Sequence, residues 1–219
     1  MKKAFLSIIY MFALTLVFTS MVTAVKYVNS DRVERNQAVK LQRIVPVKLQ
    51  RIVLKVLDID SEKPMTDSEV DRLFSERIKP VQAGGRMVYI CYGEKDERIS
   101  GYAFPVGGPG FWGPIDGMVG VGPNAGEILG ISFYRHSETP GLGGRISENW
   151  FAEQFHGLPL HPVEGDENIF YLVPAGTGRS ANQLDAVTGA TGTSRAVEAF
   201  LNKELDDFLK ETWGRLKKE

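Results

Sequence analysis

The sequence lacks most features of metal-dependent, hydrolytic and nucleic-acid-binding proteins. Its single cysteine, Cys91, cannot form an internal disulfide, and we expect a buried structural thiol in a strand-like run. The three histidines, His136, His156 and His161, have no HExxH or CxxC companions, which argues against a protein metal site. The formal net charge is −1, so the strong positive charge of nucleic-acid-binding proteins is missing. No GxSxG elbow and no Walker A loop occurs either.

The first part of the chain predicts a membrane anchor. The run from Ala4 to Val25 carries no charge and is long enough to cross a hydrocarbon core of about 30 Å. Lys2 and Lys3 precede it, which predicts a cytoplasmic tip at residues 1–3 and a soluble domain on the other side. A cleaved signal peptide, with a cleavage site at residues 22–24, is the alternative. The length of the apolar run favours a retained anchor.

Residues 26–63 predict a helical connector. The string Val39-Lys-Leu-Gln-Arg-Ile-Val45 is repeated as Val47-Lys-Leu-Gln-Arg-Ile-Val53, with Pro46 between the copies. Since proline interrupts a helix, we expect a broken, basic-faced helix from Asp31 to Leu57. This segment either contacts acidic lipid or a partner, or is a solvated connecting helix, and the second interpretation is favoured.

Residues 64–219 predict one α+β domain with antiparallel strands and packed helices. Strand-like runs occupy residues 86–92, 99–104, 115–121, 128–134 and 169–173. Helices are predicted after the capping box of Thr66 and Glu69, and after Ser147. Few helices cross between strands, which argues against a doubly wound parallel sheet. Residues 107–114 are expected to form a hairpin or surface loop that contains Phe111 and Trp112.

A stretch rich in glycine and hydroxyl groups precedes the last helix. Beyond it, apolar residues recur in steps of three and four and predict one buried helix face, formed by Val197, Phe200, Leu201, Leu205, Phe208 and Leu209. Ser194 is the predicted N-cap, and the free amides of the first turn would face Thr191. A phosphate fits such a site, and Gly189 and Gly192 leave room for it. On composition alone, an ordinary helix start explains the same residues.

Two strings in this region resemble the FMN-binding domain family. Asp185-x-x-Thr188-Gly189-Ala190-Thr191 is similar to the family's flavinylation motif, and residues 137–144 resemble its ETPGLG segment. The resemblance covers most of the chain from Arg86 onward. It implies that a flavin transferase takes FMN from FAD and esterifies its phosphate to Thr191. It also implies a set of further cofactor-binding residues, which comprises Asp185, Thr188, Gly189, Ala190, Glu138, Thr139, Gly141, Leu142 and Gly143.

The resemblance further implies a membrane-anchored electron carrier in which FMN supplies the redox chemistry and the protein supplies position and potential. Within the family, the chain resembles the C-type subunit of sodium-translocating NADH:quinone reductases, and the G-type subunit of the Rnf complex (ferredoxin:NAD oxidoreductase) is the alternative. The implied partners are the other membrane subunits of the redox complex, the flavin transferase and the lipid bilayer. The implied location of the soluble domain is the periplasmic side of the bacterial inner membrane.

Three alternatives remain open at this level. A stand-alone anchored flavin carrier for an extracytoplasmic reductase would share every motif. A flavin-free binding module would use the motif only as a helix cap. Phe111 and Trp112 are interpreted as packing residues, with stacking on the flavin as the other possibility.

Overall fold

The computed structural model describes residues 10–12, 14–21, 23, 47–59, 65–94 and 98–217. The chain forms two units, Met1–Lys48 and Leu49–Glu219. In the first unit, residues 10–12, 14–21 and 23 are helical. The predicted anchor, Ala4–Val25, lies partly outside the described residues. Residues 1–3 and the first copy of the repeated string lie wholly outside them. Over the ranges described, no helix combines the length and the apolar character needed to cross a membrane.

The second unit is built on a five-stranded antiparallel sheet whose strands follow one another in sequence order. The strands are β1 (Ile78–Ala83), β2 (Arg86–Tyr92), β3 (Ile99–Pro109), β4 (Pro114–Val121) and β5 (Ile128–Arg135). The predicted strands at β2 to β5 and the α+β fold class are confirmed. Strand β1 was missed because Lys79 and Pro80 suggested only the end of a helix. Proline is tolerated there because β1 is an edge strand.

In the described part of the second unit, the sheet is accompanied by five short or medium helices. They are α1 (47–56), α2 (Asp67–Arg77), α3 (Asn149–Glu153), α4 (Thr191–Asp207) and α5 (Gly214–Leu216), with a 3₁₀ turn at Gly143–Ser147 and a π-helix at Phe208–Trp213. The capping box of α2 is confirmed, since Thr66 and Glu69 bond each other's backbone amides. The periodicity of Val70, Leu73, Phe74 and Ile78 predicts a buried stripe on α2, but this is wrong in part: only Val70 is buried within the helix, and Ile78 already begins β1. The predicted cap of α3 is also wrong, because Glu148 and not Ser147 precedes the helix.

Helix α4 lies across one face of the sheet and forms the main core with it. Its predicted apolar face is confirmed, since Val197, Leu201 and Leu205 are fully buried. Phe208, just beyond its end, stacks on Phe104 of β3 with ring centroids 4.0 Å apart. At the other end of β3, a Cβ on Gly108 would lie 2.4 Å from the Phe200 Cβ. This close crossing places the start of α4 beside the β3–β4 hairpin.

The opposite face of the sheet is covered by the end of α1. Val53, Leu54, Val56 and Leu57 are buried. The Val56 carbonyl oxygen lies so close to Gly120 that a Cβ there would be 1.9 Å away. The expectation of a solvated connecting helix is therefore wrong for residues 53–57, because their apolar side chains complete the core. The buried Cys91 thiol, as predicted, also belongs to the interior.

A small parallel sheet leads into the candidate site. It pairs β6 (Tyr171–Val173) with β7 (Gln183–Asp185), and the Ala186 amide extends the pairing by donating to the Val173 carbonyl over 2.7 Å. The strand predicted at 169–173 is thus shorter than expected, and β7 was not predicted. Since β7 ends at Asp185, the rest of the motif connects this small sheet to the start of α4.

Candidate functional site

Helix α4 begins at Thr191, earlier than the sequence predicted. Its N-cap is Ala190, which has no side chain able to accept from the first-turn amides. The prediction of Ser194 as the N-cap is wrong. The buried Ser194 hydroxyl instead accepts from the Val187 amide and donates to the Ala190 carbonyl, both over 3.1 Å. Ser194 therefore closes the turn in front of the helix and places Thr191 at its first position.

The three threonines of this segment differ in exposure. Thr188 and Thr191 are exposed, whereas Thr193 is buried. The Thr193 hydroxyl donates to the Glu138 carboxylate, with 2.6 Å between Oγ1 and Oε2. Thr191 is thus the exposed hydroxyl at the N-terminus of a 17-residue helix, where backbone amides lack intrahelical acceptors and the helix dipole is positive.

Two cavities meet at Thr191. The larger, of about 420 Å³, is lined by Leu172, Pro174, Ala175, Ala186, Val187, Thr188, Gly189, Thr191, Ser194 and Arg195. The smaller, of about 250 Å³, is lined by Phe111, Trp112, Glu138, Thr139, Leu142, Gly143, Gly189, Ala190, Thr191, Gly192 and Thr193. Both cavities share Gly189 and Thr191. Gly189 adopts a φ of 79°, a left-handed conformation that favours glycine.

The tip of the β3–β4 hairpin carries two exposed aromatic rings into the smaller cavity. The Gly110 amide donates to the Gly113 carbonyl over 2.8 Å and closes the tip, so the predicted hairpin is confirmed. Phe111 and Trp112 are 61% and 66% exposed and meet edge to face with centroids 5.2 Å apart. Both rings line the cavity and face solvent, so the interpretation as packing residues is wrong for Trp112 and holds only for the side of Phe111 that lies against Gly192.

The loop after β5 forms the other wall of the smaller cavity. The Leu142 amide donates to the Thr139 carbonyl over 3.1 Å, and Gly141 has a φ of 74°, so Pro140 and Gly141 form the centre of a turn. Glu138 is only 4% exposed, and its Oε1 accepts from the Trp112 amide over 3.0 Å. Leu142 is 45% exposed and offers an apolar surface beside Gly189.

Asp185 lies outside the lining of both cavities. Its Oδ1 accepts from the Gly176 amide over 2.8 Å, so it ties down the loop between β6 and β7. Its backbone is held by Gln154, whose Oε1 accepts from the Asp185 amide over 2.6 Å. Gly141 likewise lines neither cavity. The other predicted site residues come together around the start of α4. They are Thr188, Gly189, Ala190, Thr191, Glu138, Thr139, Leu142 and Gly143.

Sequence reasoning missed several residues of this site. Arg195 lines the larger cavity one helical turn after Thr191. Residues four apart are neighbours on a helix surface, so the sequence already indicated that Arg195 would lie beside Thr191. Gln154 and the buried role of Ser194 had no sequence signal, since their partners depend on the tertiary fold. Among the described residues, no group of three or more His, Cys, Asp or Glu side chains could hold a metal ion.

The chain is similar to several known proteins. Residues 110–206 match the family model described as FMN-binding domain. The chain is 28% identical over 131 residues to the C-type subunit of the Na(+)-translocating NADH-quinone reductase of Pseudomonas aeruginosa, with 58% of this chain and 50% of the relative covered. The corresponding protein of Neisseria meningitidis serogroup B is 34% identical over 111 residues, with 51% and 42% covered. The chain thus spans about half the length of these curated relatives.

Two crystal structures share the fold. NqrC of Shewanella oneidensis aligns with a TM-score of 0.69 at 22% identity and covers 78% of this chain and 97% of its own. The C-type subunit of the Na(+)-translocating NADH-quinone reductase of Parabacteroides distasonis aligns with a TM-score of 0.62 at 23% identity, with 75% and 90% covered. The family match of residues 110–206 rests on the family model, and it confirms the resemblance predicted from the two motifs.

Proposed function

We propose that this protein carries FMN covalently on Thr191 and transfers electrons as a membrane-anchored subunit of an ion-translocating NADH:quinone reductase. One observation carries the proposal. Thr191 presents an exposed hydroxyl at the first residue of α4, where two cavities meet, within the segment that matches the FMN-binding domain family.

The attachment is a phosphoryl transfer from FAD. The Thr191 oxygen forms a bond to the phosphorus of the FMN half as the pyrophosphate bond of FAD breaks. AMP leaves, and the proton of the threonine hydroxyl is released, so the product is a phosphodiester. No atom changes its oxidation state in this step. The flavin transferase supplies the catalytic groups, and this chain supplies an accessible acceptor.

The residues around Thr191 fit such a group. The amides of the first turn of α4 and the Arg195 guanidinium provide donors and positive charge for a phosphodiester. Phe111 and Trp112 provide aromatic surface, and Leu142 provides apolar surface, on the side of the smaller cavity. FMN, when bound, supplies the redox chemistry. The protein would orient it and limit its contact with water.

The relatives support membership in a larger complex. Both curated relatives described above are named as the C-type subunit of the sodium-translocating enzyme, which favours this assignment over the G-type subunit of the Rnf complex. Other membrane subunits would handle NADH and quinone. Purification of the full chain in mild detergent should therefore recover further membrane subunits in stoichiometric amounts. Recovery of the chain alone would favour a stand-alone carrier.

The anchor and its orientation form a second part of the proposal. Ala4–Val25 would hold the chain in the bacterial inner membrane, and Lys2 and Lys3 would keep its amino terminus in the cytoplasm. A reporter enzyme that is active only in the cytoplasm, fused after Glu219, should then be inactive. Strong reporter activity would reverse the orientation.

Covalent attachment is tested with the full chain produced beside an active flavin transferase. After denaturing electrophoresis, the wild-type band should fluoresce under ultraviolet light. Thr191→Ala should abolish the fluorescence, whereas Thr191→Ser should retain it because the hydroxyl remains. Thr188→Ala is the matched control, since that side chain is also exposed and lies in the same motif. A fluorescent Thr191→Ala band would contradict the assignment.

A further inference from the structure

Glu138 is a buried carboxylate whose two oxygens are both engaged. Oε1 accepts from the Trp112 amide over 3.0 Å, and Oε2 accepts from the Thr193 hydroxyl over 2.6 Å. Within the described ranges, no lysine or arginine forms an ion pair with it. A buried carboxylate depends on such hydrogen bonds, because losing one leaves an oxygen without a partner in the interior.

Two glycines fit closely around this carboxylate. A Cβ on Gly110 would lie 2.6 Å from Oε1 of Glu138, and a Cβ on Gly143 would lie 2.8 Å from Oε2. The Gly143 position also leaves no space beside the Thr193 hydroxyl, at 2.4 Å. The hairpin tip, the loop after β5 and the first turn of α4 are therefore shaped around one side chain.

We propose that Glu138 is a positioning residue that ties the aromatic hairpin tip to the first turn of α4 and occupies the Thr193 hydroxyl. This bridge holds the Trp112 backbone, and with it the neighbouring Phe111 ring, over the turn that presents Thr191. It also engages the Thr193 hydroxyl, two residues after Thr191, and so withholds that hydroxyl from modification. The effect of the bridge on attachment at Thr191 rests on the proposed function. The bridge itself rests only on the two hydrogen bonds of Glu138.

The bridge is tested in the flavin-free full chain, produced without a transferase, by hydrogen exchange at the Trp112 amide. Glu138→Ala removes both hydrogen bonds and should speed exchange about five- to tenfold. Thr193→Val should speed it about threefold, because Glu138 then loses one of its two anchors. Thr193→Ser keeps the hydroxyl and should match the wild type. Exchange of the Trp112 amide at the wild-type rate in both Glu138→Ala and Thr193→Val would overturn the bridge.

The positioning role is tested by flavin occupancy in the presence of the transferase, measured per folded protein. Glu138→Ala should lower occupancy at Thr191 at least about threefold, in proportion to the lost protection of Trp112. Glu138→Gln should restore both readouts, because its amide can still accept from Trp112 and can donate to the Thr193 oxygen. Loss of flavin in Glu138→Gln with native exchange would overturn the inference, since the carboxylate charge would then act on the flavin or the transferase directly.

The two arms separate the bridge from the proposed function. A wild-type chain without flavin would refute attachment at Thr191, while the exchange arm would still decide whether Glu138 ties the hairpin to the helix. If Glu138→Ala does not fold, the Thr193→Val and Thr193→Ser pair decides, because each changes a single group. Equal exchange in that pair would overturn the bridge, and faster exchange in Thr193→Val alone would support it.

Discussion

The Phe111 ring rests directly on the backbone of Gly192. A Cβ at Gly192 would lie 2.4 Å from Cδ2 of Phe111, closer than any real contact. Gly192 is the residue after Thr191, so this contact joins the tip of the β3–β4 hairpin to the point of proposed attachment. The absence of a side chain at position 192 is what allows the aromatic ring to lie there.

Gly192→Ala should displace the Phe111 ring without unfolding the domain. Alanine is favoured over glycine in helices by about 1 kcal/mol, and Phe111 is exposed enough to move aside. We expect unchanged or slightly higher thermal stability together with altered near-ultraviolet circular dichroism and reduced flavin occupancy. Gly214→Ala is the matched control, because it is also helical and a Cβ there meets nothing within 4 Å. Equal behaviour of the two variants would show that the contact is unimportant.

Asp185→Ala should give folded protein that is poor in flavin. The structure gives Asp185 a local partner, the Gly176 amide, and places it outside the cavities, so its effect on attachment would be exerted through the transferase. Asp185→Asn separates the two roles, because its amide oxygen can still accept from Gly176 while the charge is lost. We expect low occupancy in both variants by intact mass. Full loading of Asp185→Ala would remove Asp185 from the recognition motif.

Thr139→Val should shift the redox potential of the flavin while attachment at Thr191 is retained. The turn depends on the Thr139 carbonyl, which accepts from the amides of Leu142 and Gly144, so the side chain can change without loss of the turn. The proposed bond runs from the Thr139 hydroxyl to an oxygen or nitrogen of the flavin ring, and losing one such neutral hydrogen bond costs on the order of 1 kcal/mol. If one redox state bears that loss, the one-electron potential moves by about 40 mV. Redox titration is the measurement, and an unchanged potential would make Thr139 a scaffold residue.

Thr66→Ala should destabilise α2 in a pH-dependent manner. The pKa of the Glu69 carboxyl is lowered, first by the hydrogen bond from the Thr66 amide and then by its hydroxyl. A lowered pKa contributes stability above the ordinary glutamate pKa, and that stability is lost as the pH falls through the lowered value. The variant keeps the amide and removes only the hydroxyl, so it should lose more stability near pH 7 than near pH 3.

Ser75→Ala is the control for this helix. Its hydroxyl bonds the Asp71 carbonyl in α2 and does not touch Glu69. Denaturant unfolding at the two pH values compares the variants. A loss in Thr66→Ala that is the same at both values would mean that the Thr66 hydroxyl does not act through the Glu69 charge.

Local chemistry was sufficient to predict much of the fold. Alternation and turn residues predicted strands β2 to β5, and the spacing of Val197, Leu201 and Leu205 predicted the buried face of α4. Both patterns depend only on side-chain periodicity. Strand β1 and the packing of residues 53–57 could not be predicted, because Pro80 resembles a helix stop and the burial of α1 depends on Gly120 on a distant strand.

The candidate site shows the same division. Thr191 and its neighbours follow from a motif that lies in one contiguous stretch. The start of α4 was misplaced at Ser194, because a serine before an apolar repeat resembles a cap whether its hydroxyl bonds the helix or, as here, the Val187 amide. The exposure of Phe111 and Trp112 was misjudged, because exposure at a hairpin tip depends on what packs beneath it. The pairing of Glu138 with Thr193 joins residues 55 positions apart and leaves no local signal.

The most direct test of covalent attachment at Thr191 is the mass of one peptide. Trypsin cleavage after Arg179 and Arg195 releases residues 180–195, which contain Thr188, Thr191, Thr193 and Ser194. In the wild-type full chain produced with an active transferase, this peptide should gain the mass of FMN less one water, and fragmentation should place the gain on Thr191. FMN on Thr188 or Thr193, or an unmodified peptide from a flavin-loaded preparation, would contradict the central claim.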